Sequence, residues 1–244
     1  MMTALNTSYQ IFPLGDSAIT IDFGNCIDEE INQQVIARFN QLREQPLPGM
    51  IEAVPAYSSL TIYYDILAVK KKIPADITVM EWMTQLLNNL LKEELLYTAS
   101  VERKIHIPVC YEEKIAPDLK YVSFTNNISI EDIVKTHTSK PYKVFMLGFL
   151  PGFSYMGEVD EKIAIPRKPQ PVNIAEGSVG IAGKQTGIYP LASPGGWQII
   201  GRTPEKLFDA SKEESTLLRA GDIVQFYSIN KKEFEERIKF LQMK

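Results

Sequence analysis

Histidine and cysteine, the side chains that most often carry nucleophilic and metal chemistry, are scarce in this chain: His106, His137, Cys26 and Cys110 are all it has. No Cys-x-x-Cys pair occurs, so a zinc site would have to recruit carboxylates from scattered positions, and no metal centre is expected. In GFSYMG, Ser154 stands in a G-x-S-x-x-G context, one residue off the G-x-S-x-G nucleophile elbow, which speaks against a serine hydrolase. GSVGIAGKQ, residues 177–185, resembles a phosphate loop but has five residues between the outer glycines instead of four, and Gln185 stands where Ser or Thr would hold magnesium. Self-sufficient ATP hydrolysis is not expected. His137 follows a helical stretch, where it either caps the helix C-terminus or serves as a catalytic group; His106, in an alternating strand pattern, reads as structural.

What remains is anion chemistry. Between Lys162 and Pro204 the basic residues are Lys162, Arg167, Lys168, Lys184 and Arg202 and the only acidic one is Glu176, against a net charge of −4 for the whole chain. From Val144 to Thr203 the chain also gathers ten of its fourteen glycines and six of its fifteen prolines, which supply turns and let a ligand approach the backbone. Arg167, Lys168, Gly183, Lys184, Gln185 and Arg202 are therefore the expected anion-binding set. Aromatic residues flank the loop sequences Leu150-Pro151-Gly152 and Ser193-Pro194-Gly195-Gly196. Phe149, Pro151, Phe153, Tyr155, Ser193, Pro194, Gly195, Gly196 and Trp197 are expected to bind a partner, with barrel core as the competing reading of the rings.

The elements that must position these residues fall into two halves. A length of 244 suits two domains, divided near residue 100 into 1–100 and 101–244. In the first, SYQIF, SAITIDFG and SLTIYYD read as strands. Helices are expected from Asp28, with Ile27, Ile31, Val35, Phe39 and Leu42 on one buried stripe, and over Ile77 to Leu95. Together they make a small α/β sandwich. In the second half, IHIPVCY is a strand, two short helices follow near Ala116 to Ser123 and Ile130 to His137, and glycine- and proline-punctuated strands lead to a closing helix KKEFEERIKFLQ. A pI of 5.4 argues against nucleic acid, no apolar run suits a membrane span, and the two cysteines read as reduced, buried thiols, all pointing to a cytoplasmic protein.

VFMLGFLPGFSYMG followed by IPRKPQPVNIAEGSVGIAGKQTGIYPLASPGGWQIIGRTP resembles the signature of the family that contains the bacterial 5-oxoprolinase B subunit, the sporulation kinase inhibitor KipI and the first segment of allophanate-hydrolase-related proteins. LGDSAITIDFG, PAYSSLTIYYD, IHIPVCY and HTSKPYKVFMLGF extend the likeness along the chain. One departure is Glu112-Glu113, where small, glycine-containing sequence is expected. The resemblance implies an α+β architecture: an N-terminal α/β domain followed by a C-terminal cyclophilin-like β-barrel. It implies ATP-dependent opening of 5-oxoproline to L-glutamate with partner subunits A and C, no cofactor bound by this chain alone, and ATP with Mg²⁺ at the assembled complex. It further implies inhibition of a sporulation histidine kinase, either beside that activity or in its place.

Overall fold

The computed structural model describes residues 8–93 and 103–242. The chain divides into two compact units, residues 1–100 and 101–244. The break expected near residue 100 lies outside the described residues.

The first unit runs β1 (Gln10–Pro13), β2 (Ala18–Asp22), α1 (Glu29–Glu44), β3 (Met50–Pro55), β4 (Ser59–Tyr64), α2 (Ile66–Lys70) and α3 (Val79–Lys92). Its antiparallel sheet has the order β1-β2-β4-β3. Strand alternation turns Ile19 and Ile21 of β2 and Leu60 and Ile62 of β4 to one face, where they pack with Val35 and Leu42 of α1 and Met83 and Leu87 of α3. This is the expected sandwich. α1 begins where Asp28 Oδ1 accepts from Ile31 N at 2.9 Å. Ile27 thus precedes the helix and is 44% exposed, so it is not part of the core stripe. Arg38 joins the buried face instead, its Nη2 donating to Leu91 O at 3.1 Å and Glu93 O at 2.7 Å, which satisfies the closing carbonyls of α3. A reciprocal capping box of Thr78 and Glu81 opens α3. Cys26 lies exposed in the loop before α1 and Cys110 is buried, both free, so only one of the two thiols is the buried kind expected.

The second unit comprises β5 (Lys104–Cys110), α4 (Leu119–Asn126), α5 (Ile130–Thr138), β6 (Tyr142–Leu147), β7 (Ser154–Gly157), β8 (Val172–Ile174), β9 (Ser178–Ala182), β10 (Gln185–Ile188), β11 (Ser193–Gly195), β12 (Gln198–Arg202), β13 (Ile223–Ile229) and α6 (Lys231–Gln242). Seven strands close into a barrel in the order β10-β7-β6-β13-β5-β12-β9, while β8 and β11 form a separate two-stranded ribbon. The barrel expected in this half is present. Val144, Met156, Ile181, Ile188, Ile200 and Phe226 fill its core together with Leu119 and Val122 of α4 and Ile133 of α5. Glu112 Oε1 accepts from Lys231 N at 2.9 Å at the start of α6, and Glu113 pairs with Lys120 at 2.7 Å. The carboxylates that break the expected loop pattern thus cap one helix and anchor another.

Candidate functional site

β7, β10, β9 and β12 each send alternate residues to the barrel core and to the outer face. Met156, Ile188, Ile181 and Ile200 go inward. Outside, Phe153, Ile174, Ala182, Tyr189, Trp197 and Ile199 form a second cluster, joined by Leu150 and Tyr155. Phe153 is its centre, with ring centroids of Tyr155, Tyr189 and Trp197 at 4.8, 5.0 and 5.4 Å in edge-on contacts. The floor beneath these rings is bare backbone. A Cβ at Gly187 would come within 2.8 Å of Ser154 O, 3.0 Å of Trp197 Cζ3 and 3.1 Å of Phe153 Cζ. The close approach expected of a ligand is made there by the protein's own rings. Trp197 is 2% exposed, and Phe153 and Gly195 are buried as well, which corrects their assignment to a docking face. Phe149, Pro151 and Pro194 are exposed; Ser193 and Gly196 are half-buried.

Beside this cluster Tyr155, Pro166, Arg167, Ala182, Gly183, Gln185 and Trp197 line an open cleft of about 410 Å³. The cleft brings together residues from both expected sets, ligand-binding and partner-binding. Its cation is Arg167, exposed on the extended stretch between Pro166 and Pro169 and without a carboxylate partner among the described residues. Burial raises the phenol pKa values of Tyr155 and Tyr189, and the nearby Arg167 charge pulls both back.

The other expected cations have structural work. Lys168 Nζ is paired with Asp118 and donates to Trp197 O at 3.2 Å, while Asp118 Oδ2 accepts from Ile199 N at 2.7 Å. Lys184 pairs with Glu161 at 2.7 Å. Arg202 Nε donates to Glu176 O at 2.6 Å, and its guanidinium lies 5.8 Å from the Phe234 ring centre. Gly183, at φ 60°, and Lys184 make the two-residue turn between β9 and β10, so GSVGIAGKQ is strand, turn, strand. With no helix following, it lacks the N-terminal dipole that a phosphate loop supplies.

His137 is 0% exposed, which removes it from contact with any bound molecule. Its ring stacks on Phe226 with centroids 4.7 Å apart. Thr186 Oγ1 donates to Gly180 O at 3.1 Å, so His137 Nε2–H donates to Thr186 Oγ1 at 3.0 Å, and Nδ1 accepts from Tyr111 OH at 2.8 Å. Burial holds the imidazole neutral, its pKa pushed down to about 3. His137 therefore orders the barrel core, as a structural hydrogen-bonding residue and not a catalytic one. His106 lies exposed on β5, and Ser154 is fully buried on β7. Among the described residues no group of three metal-ligating side chains gathers, and no helix is long and apolar enough to cross a membrane.

Residues 9–218 match the carboxyltransferase domain, subdomain C and D, and the chain belongs to that family. Within it, the 5-oxoprolinase B subunit of Bacillus subtilis (strain 168) is 46% identical over 94% of this chain and 97% of its own length. The protein of the same name from Escherichia coli O157:H7 is 36% identical over 87% of this chain and 93% of its own. The crystal structure of TTHA0988 superposes with a TM-score of 0.75 at 34% identity, covering 87% of this chain but only 40% of that one. The motif resemblance thus marks family membership, and at 46% identity the chain is a relative of the B. subtilis protein, not that protein itself.

Proposed function

We propose that this chain is the B subunit of an ATP-dependent 5-oxoprolinase and forms one wall of a site completed by subunits A and C. The observation that carries the reading is Arg167, a cation without a carboxylate partner among the described residues, in an aromatic-walled cleft. A guanidinium holds a carboxylate through two parallel hydrogen bonds, and the half-buried Tyr155 ring in the same cleft suits a five-membered lactam ring. The chemistry explains the need for partners. An unstrained lactam is a poor electrophile, so its amide oxygen takes the γ-phosphoryl group of ATP, ADP leaves, and water then attacks the activated carbon. Opening of the C–N bond with loss of phosphate gives L-glutamate. Nucleotide, Mg²⁺ and base belong in this scheme to the assembled cytoplasmic complex, and this chain's part is to hold and orient the carboxylate.

The test is 5-oxoproline-dependent ATP hydrolysis with the three proteins singly and together. Turnover is expected only from the full set, with Arg167→Gln raising the apparent KM at least tenfold while the melting temperature stays put. Turnover by this chain alone, or an unchanged KM, overturns the reading. A second reading, inhibition of a sporulation histidine kinase without any catalytic role, draws support from the exposed aromatic Phe149. It requires that the chain alone suppress kinase autophosphorylation, and that the three-protein mixture show no 5-oxoproline-dependent ATPase.

A further inference from the structure

Arg167 stands on a stretch of chain that is tied down on both sides of it. Ile165 N donates to Gly183 O at 3.2 Å, and Ile165 O accepts from Gly183 N at 2.7 Å. Pro166 O accepts from Nε2 of the buried Gln198 at 3.2 Å, and Lys168 N donates to Gly196 O at 2.7 Å. Pro166 and Pro169 restrict the backbone further. The segments that receive these bonds are the ones that supply Gly183 and Trp197 to the cleft. Arg167 is therefore mounted on the walls of the cleft into which its side chain reaches.

The Lys168–Asp118 pair fastens the same stretch from behind. Arg167 lines the cleft and Lys168 does not; Lys168 Nζ turns to Asp118 and to Trp197 O, the latter at 3.2 Å. Asp118 holds the N-cap position of α4, where an Asp side chain ordinarily accepts from the first helical N–H groups, yet it makes no such bond. Its Oδ2 goes instead to Lys168 and to Ile199 N at 2.7 Å, while its own N–H donates to Ile199 O at 3.0 Å. A carboxylate diverted from its local task marks a place where another demand prevails. Leu119 and Val122, just after it on α4, are embedded in the barrel core, so the carboxylate sits on a firm base.

We propose that Asp118 and Lys168 are positioning residues of the 5-oxoproline site, which rests on the reading of Arg167 given above. The pair holds residues 166–168 against β12, so that the Arg167 guanidinium meets the substrate carboxylate in one orientation. Two parallel hydrogen bonds to a carboxylate require a fixed plane, and a displacement of about 1 Å in a binding group costs on the order of 100-fold in rate. Fixing the backbone under a long, rotamer-rich side chain reduces what binding must still order. Pairing also neutralises Lys168, which leaves Arg167 as the cation that faces the cleft. Asp118 and Lys168 act through Arg167 and touch no substrate atom themselves.

The experiment is steady-state 5-oxoproline-dependent ATP hydrolysis by the full chain with subunits A and C, with melting curves alongside. Lys168→Met is expected to raise the KM for 5-oxoproline at least fivefold and leave the KM for ATP unchanged. Asp118→Asn, whose amide oxygen still accepts from Ile199 N, is expected to raise it at least threefold. Lys168→Arg keeps the pair and is expected to stay within twofold of the unaltered chain. Lys120→Met, which breaks the exposed pair with Glu113 on the same helix, serves as control and is expected to leave KM where it was. In an Arg167→Gln background neither Lys168→Met nor Asp118→Asn should add to KM, because the group they position is gone. Instability alone would lower the active fraction, and so kcat, equally in both backgrounds. If Lys168→Met fails to fold, Asp118→Asn decides in the same two backgrounds. An unchanged KM in the folded variants, while Arg167→Gln raises it, overturns the positioning role and leaves the substrate reading standing. So does an effect that persists at full size in the Arg167→Gln background. No turnover from the three proteins together, or an unchanged KM in Arg167→Gln itself, removes both.

Discussion

The inside of the barrel and the outer face of β7, β10, β9 and β12 are both dry, and they reach dryness by opposite means. Inside, aliphatic side chains fill most of the space around a chain of hydrogen bonds, Tyr111 to His137 to Thr186 to Gly180 O. Outside, the strands give up their side chains at Gly180 and Gly187 so that Trp197 and Phe153 can lie on the backbone. Two cores on opposite sides of one sheet fix its curvature and leave the cleft beside Arg167 on a rigid wall. Glycine abundance in this segment therefore measures aromatic packing more than ligand access.

The largest expected effect tests whether the outer cluster is a core at all. Trp197→Ala should destabilise the protein by about 3–5 kcal/mol, as for a large buried ring, read from denaturant melts. A cost near zero would make the outer face an ordinary surface.

Next comes the interior relay, through pH. His137 titrates at about 3 in the fold against 6.5 ordinarily, so on acidification the unfolded chain binds a proton that the folded chain refuses. The stability this contributes is fully present above pH 6.5 and drains, by up to about 1.4 kcal/mol per pH unit, as the pH falls toward 3. In His137→Gln the amide can accept from Tyr111 and donate to Thr186, and this variant should lose that extra slope. Parallel profiles for the two proteins would disprove the coupling. His137→Leu, which leaves both hydroxyls without their partner, should cost about 1–3 kcal/mol more than the Gln variant.

The smallest effects separate two adjacent cations. Lys168→Met should cost about 1.5–3 kcal/mol by stranding Asp118, whereas Arg167→Gln should stay within about 0.5 kcal/mol. Equal costs would mean that Arg167 has a structural partner after all.

Periodicity and turn chemistry carried much of the fold. β1, β2, β4, β5, α1, α5 and α6 lie close to where their patterns put them, because local alternation and caps decide such elements. α2 leaves no periodic signal in the sequence, since five residues held by the Asp65 cap are too short to show one. Ile27 fits the stripe by spacing yet falls outside it, because Asp28 starts the helix one residue later. The candidate site was legible as a segment and not as a set of roles. Which cation is free depends on partners far along the chain, Asp118 for Lys168 and Glu176 O for Arg202, and which face an aromatic takes depends on glycines across a strand pair. Neither fact is local. The relay of His137, reaching Tyr111 and Thr186, was hidden for the same reason.

β5 and β13, the first and last strands of the barrel, lie side by side and run parallel, Lys104 beside Ile223 through Cys110 beside Ile229. During synthesis the circle cannot close until the final strand has left the ribosome, and until then β5 and β6 present open edges to any neighbouring chain. Such a seam makes folding slow and late, governed by the most distant pairing in the unit. The bond from Lys231 N to Glu112, formed by the residues just past the two strands, is then the latch that fastens the seam once it has zipped.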